Sequence, residues 1–94
     1  MSRIGPQAAT LANVSGAATS TALFAANGAA KARAIYNDSS AVLYVKYGAT
    51  ASSTSYTVQI PAFGYFEFPH PVYAGAVEGI WASATGAART TEVA

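Results

Sequence analysis

From Ala32 onward, apolar and polar positions alternate in short runs broken by turn residues. Residues 32–37 and 41–47 are rich in β-branched and aromatic side chains, and Asn37-Asp38-Ser39-Ser40 lies between them. Short polar side chains of this kind hydrogen-bond their own backbone in turns, so the pattern predicts a hairpin. In 54–60, Tyr56, Val58 and Ile60 point one way while Ser55, Thr57 and Gln59 point the other. That is the period-two signature of a half-buried strand with its apolar side inward. Pro61 then removes a ladder donor, and Ala62-Phe63-Gly64 turns the chain into a strand over 65–68, predicting a second hairpin. There Phe66 and Phe68 face the core, Tyr65 faces out, and Phe63 sits at the turn tip.

Pro69-His70-Pro71 fixes two φ angles and makes a stiff crossing between sheets or a sheet edge. A strand over 77–82 carrying Trp81 and a last one over 88–93 follow, separated by the turn residues Ser83–Gly86. Residues 8–30 mix alanine runs with Gly16, Thr19, Ser20, Thr21 and Gly28, which oppose a helix, so two short strands preceded by an extended arm are expected. The fold class is therefore all-β: a small antiparallel β-sandwich or barrel, jelly-roll-like, with an extended N-terminal arm. It forms one domain overall, with residues 1–30 as arm and short strands and 31–94 as the sandwich core. Ser15–Thr21 and Thr85–Thr91 share a small-residue pattern, which either marks a repeat or two similar turn-plus-strand segments.

Composition changes this picture in two ways. Of the 52 % hydrophobic residues in 94, 23 residues are alanine, so the core is lean in large side chains. Charged residues reach only 10 %, well under the usual quarter, which fits a surface partly covered by something else. The net charge of +1 rests on Arg3, Lys31, Arg33, Lys46 and Arg89, which form no basic stripe, so nucleic acid is not an expected partner. Residues 4–30 are uncharged but too interrupted by polar residues to supply a span of about 20 apolar ones, so no membrane partner is expected either. The apolar patch Ala22–Ala26 is too short for a secretory signal, and residues 1–30 are read as part of the working protein. The absence of cysteine removes disulfides, thiolate metal sites and cysteine nucleophiles.

No catalytic constellation is recognisable. His70 and Asp38 are the sole His and Asp, and no Gly-x-Ser-x-Gly elbow accompanies them. One His with one Asp does not build a zinc site, and no phosphate-binding or dinucleotide motif occurs, so no cofactor is expected. Glu67 and Glu78 are expected on outward strand faces, solvated or paired with Lys46 or Arg33. Six Tyr, four Phe and one Trp are more informative. Phe63, Tyr65, Phe66, Phe68, Tyr73 and Trp81 cluster around the proline-stiffened turn. This cluster reads as a protein–protein interface, a carbohydrate-stacking platform using Tyr65 and Trp81, or an ordinary core with its rim. As interface residues the candidates are Phe63, Tyr65, His70, Tyr73 and Trp81.

The run Ala34-Ile35-Tyr36-Asn37-Asp38-Ser39-Ser40-Ala41-Val42-Leu43-Tyr44-Val45-Lys46-Tyr47-Gly48, the 54–60 strand, and Gly79-Ile80-Trp81-Ala82-Ser83-Ala84-Thr85-Gly86-Ala87-Ala88 with Thr91-Glu92 resemble small virion-associated proteins of tailed bacteriophages. The resemblance covers about residues 30–93. Where that family often has a Pro-Gly-Gly-like turn, this chain has Pro61-Ala62-Phe63-Gly64. The resemblance implies a structural protein without catalytic residues. Its expected role is capsid decoration (cement), exposed on the capsid exterior after assembly in the host cytoplasm. The implied partners are the major capsid protein or other virion proteins, and other copies of the chain as a homotrimer. A tail, baseplate or head-fibre component, or a carbohydrate-binding module for host recognition, is the alternative.

Overall fold

The computed structural model describes residues 8–94. Arg3 and the arm expected before residue 8 lie outside the described residues. Eight strands follow in chain order: β1 (Ala9–Ser15), β2 (Thr21–Phe24), β3 (Ala32–Asp38), β4 (Leu43–Tyr47), β5 (Val58–Ile60), β6 (Tyr65–Glu67), β7 (Val77–Trp81) and β8 (Ala87–Val93). They form two antiparallel four-stranded sheets, β1-β8-β3-β6 and β2-β7-β4-β5. The packed pair is a β-sandwich, and residues 8–30 supply two strands as the sequence predicts.

Alternation decides which side chains meet between the sheets. Arg33, Ile35 and Asn37 of β3 and Ala88 and Thr90 of β8 point inward from one sheet. Leu43 and Val45 of β4, Ile60 of β5, and Val77 and Trp81 of β7 meet them from the other, joined by Leu23, Phe24 and Phe68. Burying a large apolar side chain contributes roughly 1.5–3 kcal/mol, so these few residues carry most of the hydrophobic stabilisation. Gly79 lies beneath two of them: a Cβ there would sit 2.7 Å from Leu23 Cδ1 and 3.0 Å from Leu43 Cδ1. Glycine thus lets the leucines interlock across β7.

The strand pairing departs from the sequence expectation. β3 and β4 are not a hairpin: β3 pairs with β8 and β6, whereas β4 pairs with β7 and β5 in the other sheet. The Asn37–Ser40 segment is a corner between layers. Ser39 is buried there, donating its hydroxyl to Thr85 O at 2.7 Å and accepting from Ala41 N–H at 3.0 Å. The second expected hairpin fails in the same way, because β5 and β6 belong to different sheets and Pro61–Gly64 is again a corner. The strand over 54–60 shrinks to 58–60, and Tyr56, expected inside, is 39 % exposed and packs against the Tyr44 ring, tilted at 53° with centroids 5.1 Å apart. The Ser15–Thr21 and Thr85–Thr91 segments adjoin one another, with Gly16 N–H donating to Gly86 O at 2.8 Å.

Two ion pairs among the described residues join β3 to β8 within one sheet. Arg89 pairs with Asp38 on the surface, and the fully buried Arg33 pairs with Glu92 at 2.8 Å. Arg33 was expected among surface cations, available to Glu67 or Glu78. Instead it points inward with Ile35 and Asn37, and Glu78 accepts a hydrogen bond from Ser20.

Candidate interaction surface

The β5–β6 corner places Phe63. Gly64 N–H donates to Pro61 O at 2.8 Å and closes a four-residue turn, in which Phe63 adopts φ 57°. For a bulky L-residue this left-handed conformation costs about 1–2 kcal/mol, which is why glycine or asparagine normally occupies it. The backbone is held there from two sides. Phe63 N–H donates to Ser39 O at 3.2 Å, and the buried Asn37 amide donates to Ile60 O and Pro61 O at 3.1 Å each. The ring itself contributes nothing to the core: Phe63 is 57 % exposed. An unfavourable backbone conformation therefore presents an apolar side chain to solvent.

Tyr65, two residues on, is 63 % exposed. It stands opposite Tyr36 of β3, which stands opposite Arg89 of β8, which stands opposite Asn13 of β1. One row of side chains therefore crosses the outer face of the sheet. Arg89 is fixed within it, with Nη2 2.8 Å from Asp38 Oδ2 and Nη1 donating to Asn13 Oδ1 at 2.9 Å. Two tyrosines and an oriented guanidinium, flanked by Phe63 at one end and the exposed Leu11 at the other, make a surface rich in the side chains that anchor protein interfaces. Sequence reading missed Tyr36, Arg89, Asn13 and Leu11. Parity within β3 places Tyr36 outward, but only the β3–β8 and β8–β1 pairings bring in the others.

The remaining candidates lie elsewhere. Trp81 is 1 % exposed, and its indole N–H donates to Asn37 Oδ1 at 3.1 Å, so it is core and offers no contact or stacking face. It points inward because it shares strand parity with Val77 and Gly79. Tyr73 is half-buried: its ring stacks on Tyr47 at 4.5 Å and 3°, and Tyr47 stacks in turn on Phe68 at 5.2 Å. Burial pushes the Tyr47 hydroxyl above the usual tyrosine range, against the opposing pull of nearby Arg33. His70 is exposed but follows Phe68, whose N–H bonds Arg33 O, whereas Gly64 beside Phe63 accepts from Asn37 N–H. His70 and Phe63 thus lie beyond opposite ends of β3, and only Phe63 and Tyr65 of the five candidates share one surface.

Arg33 controls the segment bearing Tyr73. Its Nη1 donates to Tyr73 O at 2.9 Å and Gly75 O at 2.7 Å, and its Nη2 to Ala25 O at 2.8 Å and Ala74 O at 3.4 Å. Nε binds Glu92, and the guanidinium lies 4.8 Å from the Phe24 ring centre. Every donor of the fork is used.

The resemblance to phage virion proteins rests on sequence motifs alone. Against protein-family models, curated proteins and solved structures, the chain gives no match in any of the three comparisons.

Proposed function

We propose that this chain is a structural protein of a tailed-phage virion, a capsid decoration (cement) protein that binds between major capsid subunits on the exterior of the mature shell. The observation that supports it most is Phe63, an exposed aromatic held in a backbone conformation that glycine would adopt at lower cost. Strain of this kind concentrates where a side chain is kept for contact. Phe63, Tyr65 and Tyr36 with Arg89 would then form the shell-facing surface. The low charge content and lean core suit a domain that completes its burial against a lattice.

The mechanism is linkage. A protein that binds only the mature lattice stabilises that state by RT ln(1 + [L]/Kd), about 2.7 kcal/mol at a hundredfold excess over Kd. No catalytic step is required of it. Self-association belongs to the same reading: a homotrimer suits a three-fold point of a shell and a homodimer a two-fold point. A tail or baseplate component differs by being present in far fewer copies per particle. The carbohydrate-binding alternative loses one of its two stacking faces with the burial of Trp81.

The test is co-sedimentation of the purified protein with mature and immature capsids of the phage encoding it. Saturable binding to mature shells, weakened by Phe63→Ala and Tyr65→Ala in a folded protein, is expected. Wild-type protein that leaves both shells undecorated, with antibodies locating it at the tail, would overturn the proposal.

A further inference from the structure

We infer that β1 is a self-pairing edge: two copies of the chain join β1 to β1 in antiparallel register about a two-fold axis at Ala12, fusing their sheets into one. The hydrogen-bond phase of β1 carries the argument. Ala8 and Ala94 exchange both backbone bonds, at 3.2 and 2.9 Å, and Gly16 N–H donates to Gly86 O at 2.8 Å. These pairs continue the register Thr10↔Glu92, Ala12↔Thr90 and Val14↔Ala88. Because antiparallel pairs alternate, the even-numbered residues bond β8, and Ala9, Leu11, Asn13 and Ser15 turn their N–H and C=O groups to the open side.

Among the described residues nothing blunts this edge. Every residue of β1 is exposed except the half-buried Val14, and Leu11 is 74 % exposed. The strand has seven residues, no charge, no proline and an unbroken register. Natural sheets protect their other edges with short strands, charges, proline or bulges, and the other three edge strands here do so. β6 has three residues including Glu67 and is followed by Pro69; β5 has three and is followed by Pro61; the pairing of β2 is bulged.

A second copy is the occupant that satisfies all four outward residues. Centring the axis on Ala12 pairs Ala9 with Ser15 and Leu11 with Asn13 in both directions, giving about eight new hydrogen bonds. Ala12 then faces Ala12 in the closely spaced, non-hydrogen-bonded pair, where small side chains fit. Centring on Leu11 or Asn13 leaves an outward residue unpaired within the strand. With no charge on β1, antiparallel self-pairing meets no repulsion, and the strand offers no charge complementarity to a different partner.

The register gives a specific test. The chain has no cysteine, so Ala12→Cys introduces a single thiol. On oxidation with copper phenanthroline, two facing thiols each release a proton to solvent and pass one electron to a Cu(II), which becomes Cu(I), as the two sulfurs form one disulfide. We expect rapid cross-linking of Ala12→Cys to twice the 9.5 kDa chain mass, and slow cross-linking of Leu11→Cys, whose neighbour across the axis is Asn13. An interface of one edge falls below the ~1,200 Å² of stable complexes, so the mass of the wild type is read by sedimentation at about 0.5 mM. Leu11→Pro removes an outward N–H only, and Ala12→Lys sets two like charges face to face at an exposed position; either is expected to leave a folded monomer.

A wild-type monomer or trimer at that concentration, dimers unaffected by both variants, or equal cross-linking at residues 11 and 12 would overturn the inference. It stands apart from the virion reading. A monomer that decorates capsids would sink only the pairing, and a dimer that ignores them only the capsid-decoration assignment.

Discussion

Asn37 and Trp81 bond to each other in the centre of the core, the indole N–H donating to the amide oxygen at 3.1 Å with both residues buried. The same amide gives its protons to Ala41 O at 2.9 Å and to Ile60 O and Pro61 O at 3.1 Å each. One side chain thus pins both corners where the chain changes sheets. Trp81→Phe is expected to lower unfolding free energy by about 2–4 kcal/mol, combining a smaller ring with an acceptor left bare. Asn37→Asp should cost at least as much, since a carboxylate would face three carbonyls. Urea unfolding followed by far-UV circular dichroism measures both.

Arg33 should not be replaceable by lysine. An ammonium lacks the fork that reaches Ala25, Tyr73, Ala74, Gly75 and Glu92 together. Arg33→Lys and Arg33→Met are each expected to destabilise by about 3–5 kcal/mol, because the carbonyls of Ala25, Tyr73, Ala74 and Gly75 lose their donors and, in the methionine variant, Glu92 loses its charge partner. Limited proteolysis should show cleavage appearing first within residues 69–76. Thermal unfolding of Arg33→Lys indistinguishable from wild type would contradict this role.

Phe63→Gly should separate stability from binding. Relief of the left-handed strain is partly offset by the larger freedom of glycine in the unfolded chain, leaving a gain of about 0.5–1 kcal/mol. Capsid occupancy should fall in the same variant. If stability fell together with occupancy, Phe63 would be a structural residue.

Tyr47 predicts a loss of stability in alkali. Its folded pKa lies above the unfolded value of 10.0 because burial disfavours the phenolate, with Arg33 opposing more weakly. The contribution is fully present below pH 10 and is lost as pH rises through the folded value. Tyr47→Phe should match the wild type at pH 7 and decline less steeply above pH 10, read by thermal melts across that range. Identical profiles for the two proteins would refute the assignment.

Strand positions were legible because alternation is a local property. Arg33, Ile35 and Asn37 share one parity and Val77, Gly79 and Trp81 another, so even the burial of Arg33 and Trp81 was within reach of the pattern. Polarity and aromatic character outweighed parity in reading those two. Strand partners were not legible. The Asn37–Ser40 run has the chemistry of a hairpin turn, and both side chains bond nearby Ala41, but Asn37 also bonds Ile60 and Pro61 and Ser39 also bonds Thr85, which no local window contains. Phe63 and Tyr65 were found because a turn tip and an outward strand position need no partner to define them. The row through Tyr36, Arg89 and Asn13 exists only once β8 lies between β1 and β3.

That position of β8 governs the order of events during synthesis. β1 and β3 are not paired with each other, and each is bonded to β8, the last of the eight strands in chain order. Until β8 is available, this sheet can hold only β3 with β6, and β1 waits with no ladder at all. Non-local pairing of this kind is slow and leaves strand edges open to other chains. Where many copies are translated close together, an unpaired, uncharged β1 is the segment most exposed to misassembly, and the appearance of β8 ends that interval.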